Sequence, residues 1–404
     1  MQPTYINPEI KTTMLLDNYK NDAVKRKIVT YYIYNGNSTI TDLSKELNLS
    51  IPTIAKIVNE MCTNGIINEY GKLETSEGRR PNLYGLNPEA GYFLGVDIKS
   101  ASLNIGLINF KGDMVELSQN LPYKFENTEQ AIDTLCESVC KFMDKLDIEI
   151  DKIQNVCVNI SGRVNPDTGY SYSVFNFSEI PLTKILEDKI GLPVFIENDS
   201  RGMAYGELIQ GCVKGEKDVL FINVSWGLGM GIIINRELYK GKSGFAGEFR
   251  HIPMFKNEIL CHCGKKGCLE TEVSGRALYR IVLERLKNGE TSILTRNGKD
   301  SFTMQDIIRA TVHEDLLCID IVEKMGEKLG TAIAALINIF NPELVVIGGT
   351  LSLTGDFLLQ PVQTAVRKYS LNLVNRDTKI VLSKLKDKAG VIGACMMARN
   401  HIFE

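Results

Sequence analysis

The stretch from His251 to Cys268 restricts the local fold of this chain more than any other. One histidine and three cysteines follow the spacing His-x9-Cys-x-Cys-x4-Cys, at His251, Cys261, Cys263 and Cys268. Thiolate sulfur and imidazole nitrogen are preferred ligands of zinc, and this spacing lets one compact loop provide four of them. The pattern therefore predicts a zinc site, and four protein ligands would make the metal structural.

Two alternatives to this ligand set stay open. The cysteines could be unliganded buried thiols, although the polar loop around them, with Gly264 and Gly267 for its tight turns, disfavours burial. His262 lies between the first two cysteines and is a competing nitrogen donor. Glu248 and Glu270 bracket the segment, so a metal here would brace acidic side chains that can bind a small molecule.

Length and composition exclude several classes of protein. A chain of 404 residues is too long for one ordinary core, so two or three domains are expected. No apolar run reaches the roughly 18 residues needed to cross a bilayer, and the first residues do not resemble a signal peptide. The 10 cysteines do not make a disulfide scaffold in a chain of this length. We therefore expect a cytoplasmic protein without membrane association.

The N-terminal residues show three amphipathic helices. Apolar residues recur at helical spacing from Asp22 to about Asn35, and a second helix follows with Thr41 as its predicted N-cap. A third helix begins after Ser50, with Pro52 in its first turn, and ends near residues 64–65. Two β-prone segments, 66–70 and 83–86, come next. This order predicts a winged helix-turn-helix domain over residues 1–88.

A winged helix of this kind can bind double-stranded DNA. Thr53, Lys56 and Asn59 lie opposite the apolar face of the third helix, where they can reach the major groove. Arg79 and Arg80 lie at the predicted tip of the wing, where a guanidinium can enter the minor groove. The net charge of −3 means that any basic surface must be local. The alternative is a helical docking domain with an ordinary solvated face.

The pattern of residues 89–404 predicts a mainly α/β domain. Strand runs and helices recur in two similar series, one over about 89–200 and one over about 201–385, and a C-terminal helix returns to the first. Two such halves with a cleft between them are typical of the actin-like, or ribonuclease H-like, kinase architecture.

Several motifs give the chain a family resemblance. The chain resembles the ROK family (repressors, open reading frames and sugar kinases), in particular its transcriptional regulators of the xylose and N-acetylglucosamine repressor type. The resemblance covers nearly the whole chain. Its motifs are Gly78-Arg79-Arg80-Pro81, Glu197-Asn198-Asp199, Gly227-Leu-Gly229-Met-Gly231, the zinc segment, and Pro342-Glu-Leu-Val-Val-Ile-Gly348-Gly349.

The resemblance implies roles for individual residues. It favours His251 over His262 as the zinc ligand. In sugar kinases of this family, the residue matching Asp199 is the base that takes a proton from the sugar hydroxyl. The alternative for Asn198-Asp199 is an N-cap on the following helix. The positions implied for sugar contact are Gly162, Asn198, Asp199, Glu248, His251 and Glu270, with Arg163 as a further candidate.

The sequence departs from the kinases of this family at both phosphate loops. The first loop usually reads Asp-x-Gly-Gly-Thr, but here Asp97 is followed by Ile-Lys-Ser-Ala-Ser. The second loop keeps Gly227, Gly229 and Gly231 but carries Trp226 and Met230 at positions where the kinases have smaller residues. Because backbone N–H groups at glycines normally approach the phosphates, we expect a degenerate ATP site and no enzymatic activity.

A second departure concerns the sugar side of the site. Arg250 stands where the family commonly has glycine before the zinc-binding histidine. This side chain could narrow the pocket or pair with an anionic substituent on the ligand. It affects the expected identity of the sugar and not the existence of the pocket.

The sequence predicts a transcriptional regulator that responds to a sugar or sugar phosphate, with repression as the common arrangement. We expect a homodimer or tetramer on a near-palindromic operator, with structural zinc and with closure of the cleft as the signal. Two alternatives are an ATP-dependent sugar kinase with Asp199 as base, and a constitutive DNA-binding protein with a vestigial pocket.

Overall fold

A computed structural model of the chain describes residues 22–73, 80–295 and 301–402. By contacts within the chain, it separates into two compact units. The first contains the chain up to Asn159, Thr168–Ile196 and the chain from Ala394 on, and the second contains Ile160–Asp167 and Glu197–Gly393. The predicted domain boundary at residue 88 lies inside the first unit and stays a prediction.

Three helices begin the described part of the chain, as predicted. They are α1 (Ala23–Asn35), α2 (Ile40–Leu47) and α3 (Ile51–Thr63). Ser50 caps α3, as predicted, by accepting a hydrogen bond from the Thr53 N–H. The prediction that Thr41 caps α2 was wrong, because the cap is Thr39, two residues earlier, which forms a reciprocal capping box with Asp42.

A three-stranded antiparallel sheet completes this region. Its strands are β1 (Ser38–Thr39), β2 (Ile67–Lys72) and β3 (Asn82–Leu86), in the order β1-β3-β2. The short β1 was not predicted, because two residues carry no periodicity. Arg79 of the predicted wing tip lies outside the described residues, and Arg80 precedes β3 as an exposed side chain.

A five-stranded sheet, with the order β10-β7-β4-β5-β6, organises the next part of the chain. In chain order, the strands and helices are β4 (Tyr92–Ile98), β5 (Ser102–Asn109), β6 (Met114–Pro122), α4 (Glu129–Met143), β7 (Ile153–Ile160), β8 (Val164–Asn165), β9 (Tyr170–Ser171), α5 (Leu182–Ile190) and β10 (Val194–Asn198). Strands β8 and β9 pair separately. Strand β10 runs directly into α6 (Asp199–Gln210), so Asn198 and Asp199 lie at a strand–helix junction.

A second five-stranded sheet has the order β13-β12-β11-β14-β15. In chain order, the strands and helices are β11 (Val219–Val224), β12 (Leu228–Ile234), β13 (Glu237–Leu238), α7 (Gly275–Lys287), α8 (Met304–Val312), α9 (Leu316–Phe340), β14 (Leu344–Gly348), α10 (Asp356–Tyr369), α11 (Asn372–Asn375), β15 (Lys379–Leu382) and α12 (Ala389–Asn400). The strand predicted at Val219–Val224 has these bounds, and the predicted long helix begins three residues earlier than Ile319.

Alternate residues of β11 belong to different cores, because successive strand side chains point to opposite faces of a sheet. Leu220, Ile222 and Val224 pack in the large core that includes α9 and α10. Val219 and Phe221 pack in a smaller core with residues of α6. Among the helices of the described residues, none is long and apolar enough to cross a bilayer.

Helices α6 and α12 make a close backbone contact. A Cβ atom added at Gly393 would lie 1.8 Å from the carbonyl oxygen of Gly202. We expect Gly393→Ala to lower the free energy of unfolding by at least about 1–3 kcal/mol, because overpacking forces the two backbones apart.

Gly215→Ala is the matched control for this substitution. A Cβ atom at Gly215 would meet no atom within 4 Å, so we expect a change below about 0.5 kcal/mol. Thermal unfolding followed by circular dichroism compares the two variants. Equal unfolding midpoints would contradict the close packing of α6 on α12.

Candidate functional site

Asn198 links two parts of the candidate sugar site. Its side-chain oxygen accepts hydrogen bonds from the backbone N–H groups of Ser200 at 3.0 Å and Arg201 at 3.2 Å. Its side-chain nitrogen donates to the carbonyl oxygen of Gly162 at 2.9 Å. The helix-cap interpretation of Asn198 is therefore correct, and the same amide also brings Gly162, a predicted sugar contact, to the junction of β10 and α6.

Asp199 is the first residue of helix α6. Its carboxylate accepts hydrogen bonds from the Ser200 N–H at 2.7 Å and the Ser200 hydroxyl at 3.2 Å. Burial raises the pKa of Asp199, while the Ser200 N–H and the positive charge of Arg250 act in the opposite direction. A carboxylate with a raised pKa accepts a proton more readily, and it also accepts hydrogen bonds from sugar hydroxyls.

A buried ion pair that was not predicted from the sequence holds this junction. The Arg201 Nε donates to Glu197 Oε1 at 2.6 Å, and both side chains are almost completely buried. The same guanidinium donates to the carbonyl oxygens of Gly244 at 2.5 Å and Val164 at 3.5 Å. Arg201 thus ties α6 to β8 and to the loop that leads to Glu248. Glu197 belongs to β10 and Arg201 to α6, so the pair spans the strand–helix junction and helical i,i+4 spacing does not account for it.

The Glu248–His251 segment forms a 3-10 turn with a charged cluster. The Arg250 Nε donates to Glu248 Oε2 at 3.1 Å, and its Nη1 lies 3.7 Å from Glu270 Oε1. The His251 Nε2 lies 3.4 Å from the same Glu248 oxygen. Glu270 Oε1 also accepts the Leu228 N–H at 3.3 Å, which ties this acid to the glycine loop. The structure therefore brings the predicted Glu248, His251 and Glu270 together.

The donor atoms of His251, Cys261, Cys263 and Cys268 all lie within 4.8 Å of one another. Cys261 Sγ is 3.5 Å from His251 Nδ1, and Cys263 Sγ is 3.6 Å from Cys268 Sγ. Tetrahedral zinc with its usual bond lengths requires about 3.6 Å between sulfur and nitrogen ligands and about 3.8 Å between sulfurs. The donor set fits zinc in kind and in spacing, and His262 is not part of it.

The backbone of the cysteine loop fixes these donors. The Cys261 N–H donates to the Lys265 carbonyl at 2.8 Å, and the Gly264 N–H donates to the Cys261 carbonyl at 2.9 Å. Gly267 has a φ of 74°, and a Cβ atom there would lie 2.2 Å from the Phe255 carbonyl oxygen. A side chain at 267 would therefore push Cys268 out of the cluster.

His251 belongs to both the metal cluster and the acidic cluster. Its Nδ1 faces Cys261 and its Nε2 faces Glu248. Burial and the neighbouring Arg250 charge lower the pKa of His251. The neutral imidazole that results is the form that can bind a metal ion. Arg163 lies close enough for its charge to lower this pKa further, although its side chain is exposed.

The glycines of the second predicted phosphate loop have a packing role. Gly229 and Gly231 lie within β12, against α6. A Cβ atom would lie 2.1 Å from the Ser200 hydroxyl oxygen at Gly229, and 2.5 Å from the Ala204 Cβ at Gly231. These glycines are needed for contact with α6 whether or not a nucleotide binds. Trp226 is 38% exposed beside them, with its ring 6.2 Å from that of Tyr279.

The predicted DNA-contacting residues of α3 share one exposed face. Thr53, Lys56 and Asn59 are all exposed, whereas Ile54 and Val58 are fully buried. The helix is thus held by its apolar side and leaves its polar side open to a partner.

Comparison with known proteins gives two family matches. The ROK family model matches residues 93–401, and a model described as winged helix-turn-helix DNA-binding matches residues 21–68. The chain is 31% identical over 361 residues to the xylose repressor of Caldicellulosiruptor bescii, covering 88% of this chain and 90% of that protein.

Two solved structures extend this similarity. A ROK family transcriptional regulator, a homolog of the E. coli MLC protein, matches with a TM-score of 0.79 and 26% identity over 94% of this chain and 97% of that one. A ROK family glucokinase from Streptomyces griseus, in complex with glucose and AMPPNP, matches with a TM-score of 0.69 and 28% identity over 77% and 100%. The predicted fold class is confirmed.

The cluster of His251, Cys261, Cys263 and Cys268 predicts a measurable zinc content. We expect the purified protein to hold about one zinc ion per chain, and Cys263→Ser to lose it, because a structural site needs all four ligands. Loss of the metal should also lower the unfolding midpoint. Elemental analysis and thermal unfolding measure the two effects.

Cys140→Ser, in α4 and outside the cluster, is the control and should keep the metal. Zinc content in Cys263→Ser equal to that of the unaltered protein would contradict the assigned ligand set.

Proposed function

This chain belongs to the ROK family, and from that premise we propose that it is a sugar-responsive repressor that binds operator DNA. One observation carries the proposal, namely that a winged helix-turn-helix segment precedes the ROK domain on the same chain. The similarity to the xylose repressor over most of both chains supports it. We propose a cytoplasmic location, because operator DNA must be accessible to the protein.

DNA recognition is assigned to α3 and the wing. Thr53, Lys56 and Asn59 lie on the exposed face of α3, where they can contact base edges and phosphates in the major groove. Arg79 and Arg80 are proposed to contact the minor groove. A homodimer, or a tetramer built from dimers, would place two recognition helices about one DNA turn apart on a near-palindromic operator.

The effector is a sugar in this proposal. The Asp199, Glu248 and Glu270 carboxylates accept hydrogen bonds from hydroxyl groups, and the Asn198 amide can both accept and donate. Gly162, Arg163 and His251 complete the proposed set. Zinc on His251, Cys261, Cys263 and Cys268 would supply no chemistry beyond cross-linking the loop. Its part would be to hold His251 and the acidic residues in place.

Sugar binding regulates DNA binding only if the sugar prefers one conformation of the protein. To change a 1:99 equilibrium into 99:1, the sugar must bind the favoured state by about 5.5 kcal/mol more tightly. We propose that the sugar favours the state with low operator affinity, which is the common arrangement for a repressor.

We also propose that the chain has no kinase activity. Phosphate loops need backbone N–H groups that a phosphate can approach, and Ile98 to Ser102 provide no glycine for this. Gly229 and Gly231 are accounted for by their packing against α6. The indole of Trp226 stands exposed at the start of the second loop, where it would obstruct a nucleotide.

Operator binding in the presence of sugars tests the function. We expect a pentose, a hexose, an amino sugar or a phosphorylated form of one of these to release the operator in an electrophoretic shift assay. Asp199→Asn should lose this response and keep DNA binding, because the amide replaces an ionised acceptor. Lys56→Ala should weaken DNA binding at every sugar concentration.

Lys324→Ala, an exposed lysine of α9, is the control for loss of one positive charge. If no sugar in the panel changed operator affinity, the sensor proposal would be rejected.

ATP consumption tests the alternative kinase function. We expect no sugar-dependent release of ADP above background with the same panel, because both phosphate loops are altered. Turnover that disappears in Asp199→Asn would reverse this conclusion and identify Asp199 as the base that accepts the proton of the sugar hydroxyl.

A further inference from the structure

Arg250 occupies the acidic side of the candidate sugar site. Its guanidinium donates to Glu248 at 3.1 Å and lies 3.7 Å from Glu270, and only 20% of its side chain is exposed. The Glu248, Glu270 and Asp199 carboxylates together raise the pKa of Arg250, although burial acts against this. Three acidic groups of the proposed pocket thus share one internal cation.

These contacts involve carboxylate oxygens of two residues in the proposed sugar site. Glu248 Oε2 interacts with both Arg250 and His251, and Glu270 Oε1 interacts with Arg250 and the Leu228 N–H. Hydrogen bonds between ionised partners are stronger than those between a carboxylate and a neutral hydroxyl. A sugar hydroxyl that binds either of these two oxygens would therefore compete with a stronger internal donor.

We propose that Arg250 is an internal competitor of the effector and raises the sugar concentration at which this protein responds. The proposal rests on the proposed sugar-sensing function and adds the ligand class to it. The ligand is a neutral sugar, which binds the acids by displacing the guanidinium.

The charges around Arg250 favour a neutral ligand over a phosphate or a sugar acid. Asp199, Glu248 and Glu270 carry three carboxylates against the one guanidinium of Arg250, so an added anion would meet net repulsion. Arg163 adds a positive charge near His251, but its exposed side chain is screened by solvent and salt. A polyol, in contrast, offers hydroxyl donors that match these acceptor groups.

Removal of the charge at position 250 is the direct test. Arg250→Met keeps most of the side-chain length and removes the guanidinium. It therefore tests the effect of the charge with little change in pocket volume. We expect Arg250→Met to bind neutral pentoses or hexoses about tenfold more tightly than the unaltered protein, because the competing ion pairs are gone. The half-maximal concentration for operator release should fall by the same factor.

The intrinsic fluorescence of Trp226 can be used to measure sugar binding. Trp226 is the single tryptophan of the chain, and its neighbour Gly227 lies beside the Glu270 carboxylate, with 3.0 Å between an added Cβ and Oε1. Isothermal titration calorimetry on the same samples gives the affinities independently. Arg250→Lys should lie between the other two proteins, because an ammonium keeps the charge but not the two-pronged contact. Arg309→Ala, at an exposed arginine of α8, should match the unaltered protein.

The outcomes separate this inference from the proposed function. If the unaltered protein binds a neutral sugar and Arg250→Met binds it equally or more weakly, the competitor inference is wrong and sugar sensing stands. If only phosphorylated or acidic sugars bind and Arg250→Met loses them, Arg250 recruits an anion and the inference is again wrong. If neither protein binds any sugar, both proposals fail. Should Arg250→Met not fold, Arg250→Lys still decides the inference, because it must bind neutral sugars more tightly than the unaltered protein.

Discussion

The buried ion pair between Glu197 and Arg201 is the contact on which the geometry of the candidate site depends. A buried charge is tolerated only when its partner and its remaining hydrogen-bonding groups are matched, and removal of one partner typically costs about 3–5 kcal/mol. Here the guanidinium satisfies Glu197 and the carbonyl oxygens of Val164 and Gly244. Three segments that are distant in sequence are thereby fixed around Asn198 and Asp199, which lie between the two charged residues.

The proposed zinc site would complement this ion pair at another part of the candidate site. The ion pair positions the start of α6, whereas a metal would position His251 and the chain that carries Glu270. The ion pair and the proposed metal take the place of apolar packing at the site. A pocket lined by apolar side chains would lack the polar groups that bind a ligand. The polar side chains of the site must stay accessible to a ligand. They are instead positioned by neighbouring groups, the ion pair and the proposed metal, whose bond distances and directions are well defined.

Local signals in the sequence predicted most of the secondary structure and the cluster of one histidine and three cysteines. The spacing of the three cysteines, the helical apolar period of α3 and the largely apolar run of β11 act over a few residues, so one sequence suffices to detect them. The capping of α2 by Thr39 depends on Asp42, and the pairing of Arg250 depends on Glu270, twenty residues away. Such choices between competing partners are made by tertiary structure. Gly229 and Gly231 show the same limit, because a phosphate loop and a close strand–helix contact require the same residue.

Helix α6 is suited to carry a signal because it packs closely against β12 and α12. Asp199 lies at its first turn, Gly229 and Gly231 of β12 pack against that turn and the next, and Gly206 packs against the Ala389 carbonyl of α12. When a helix has close backbone contacts on two sides, a movement at one end is opposed by both neighbouring elements. We expect a ligand that displaces Asp199 to shift α6 as a unit, because its close contacts with β12 and α12 oppose a shift of the first turn alone. Such a shift would transmit ligand binding beyond the pocket, which a sensor requires.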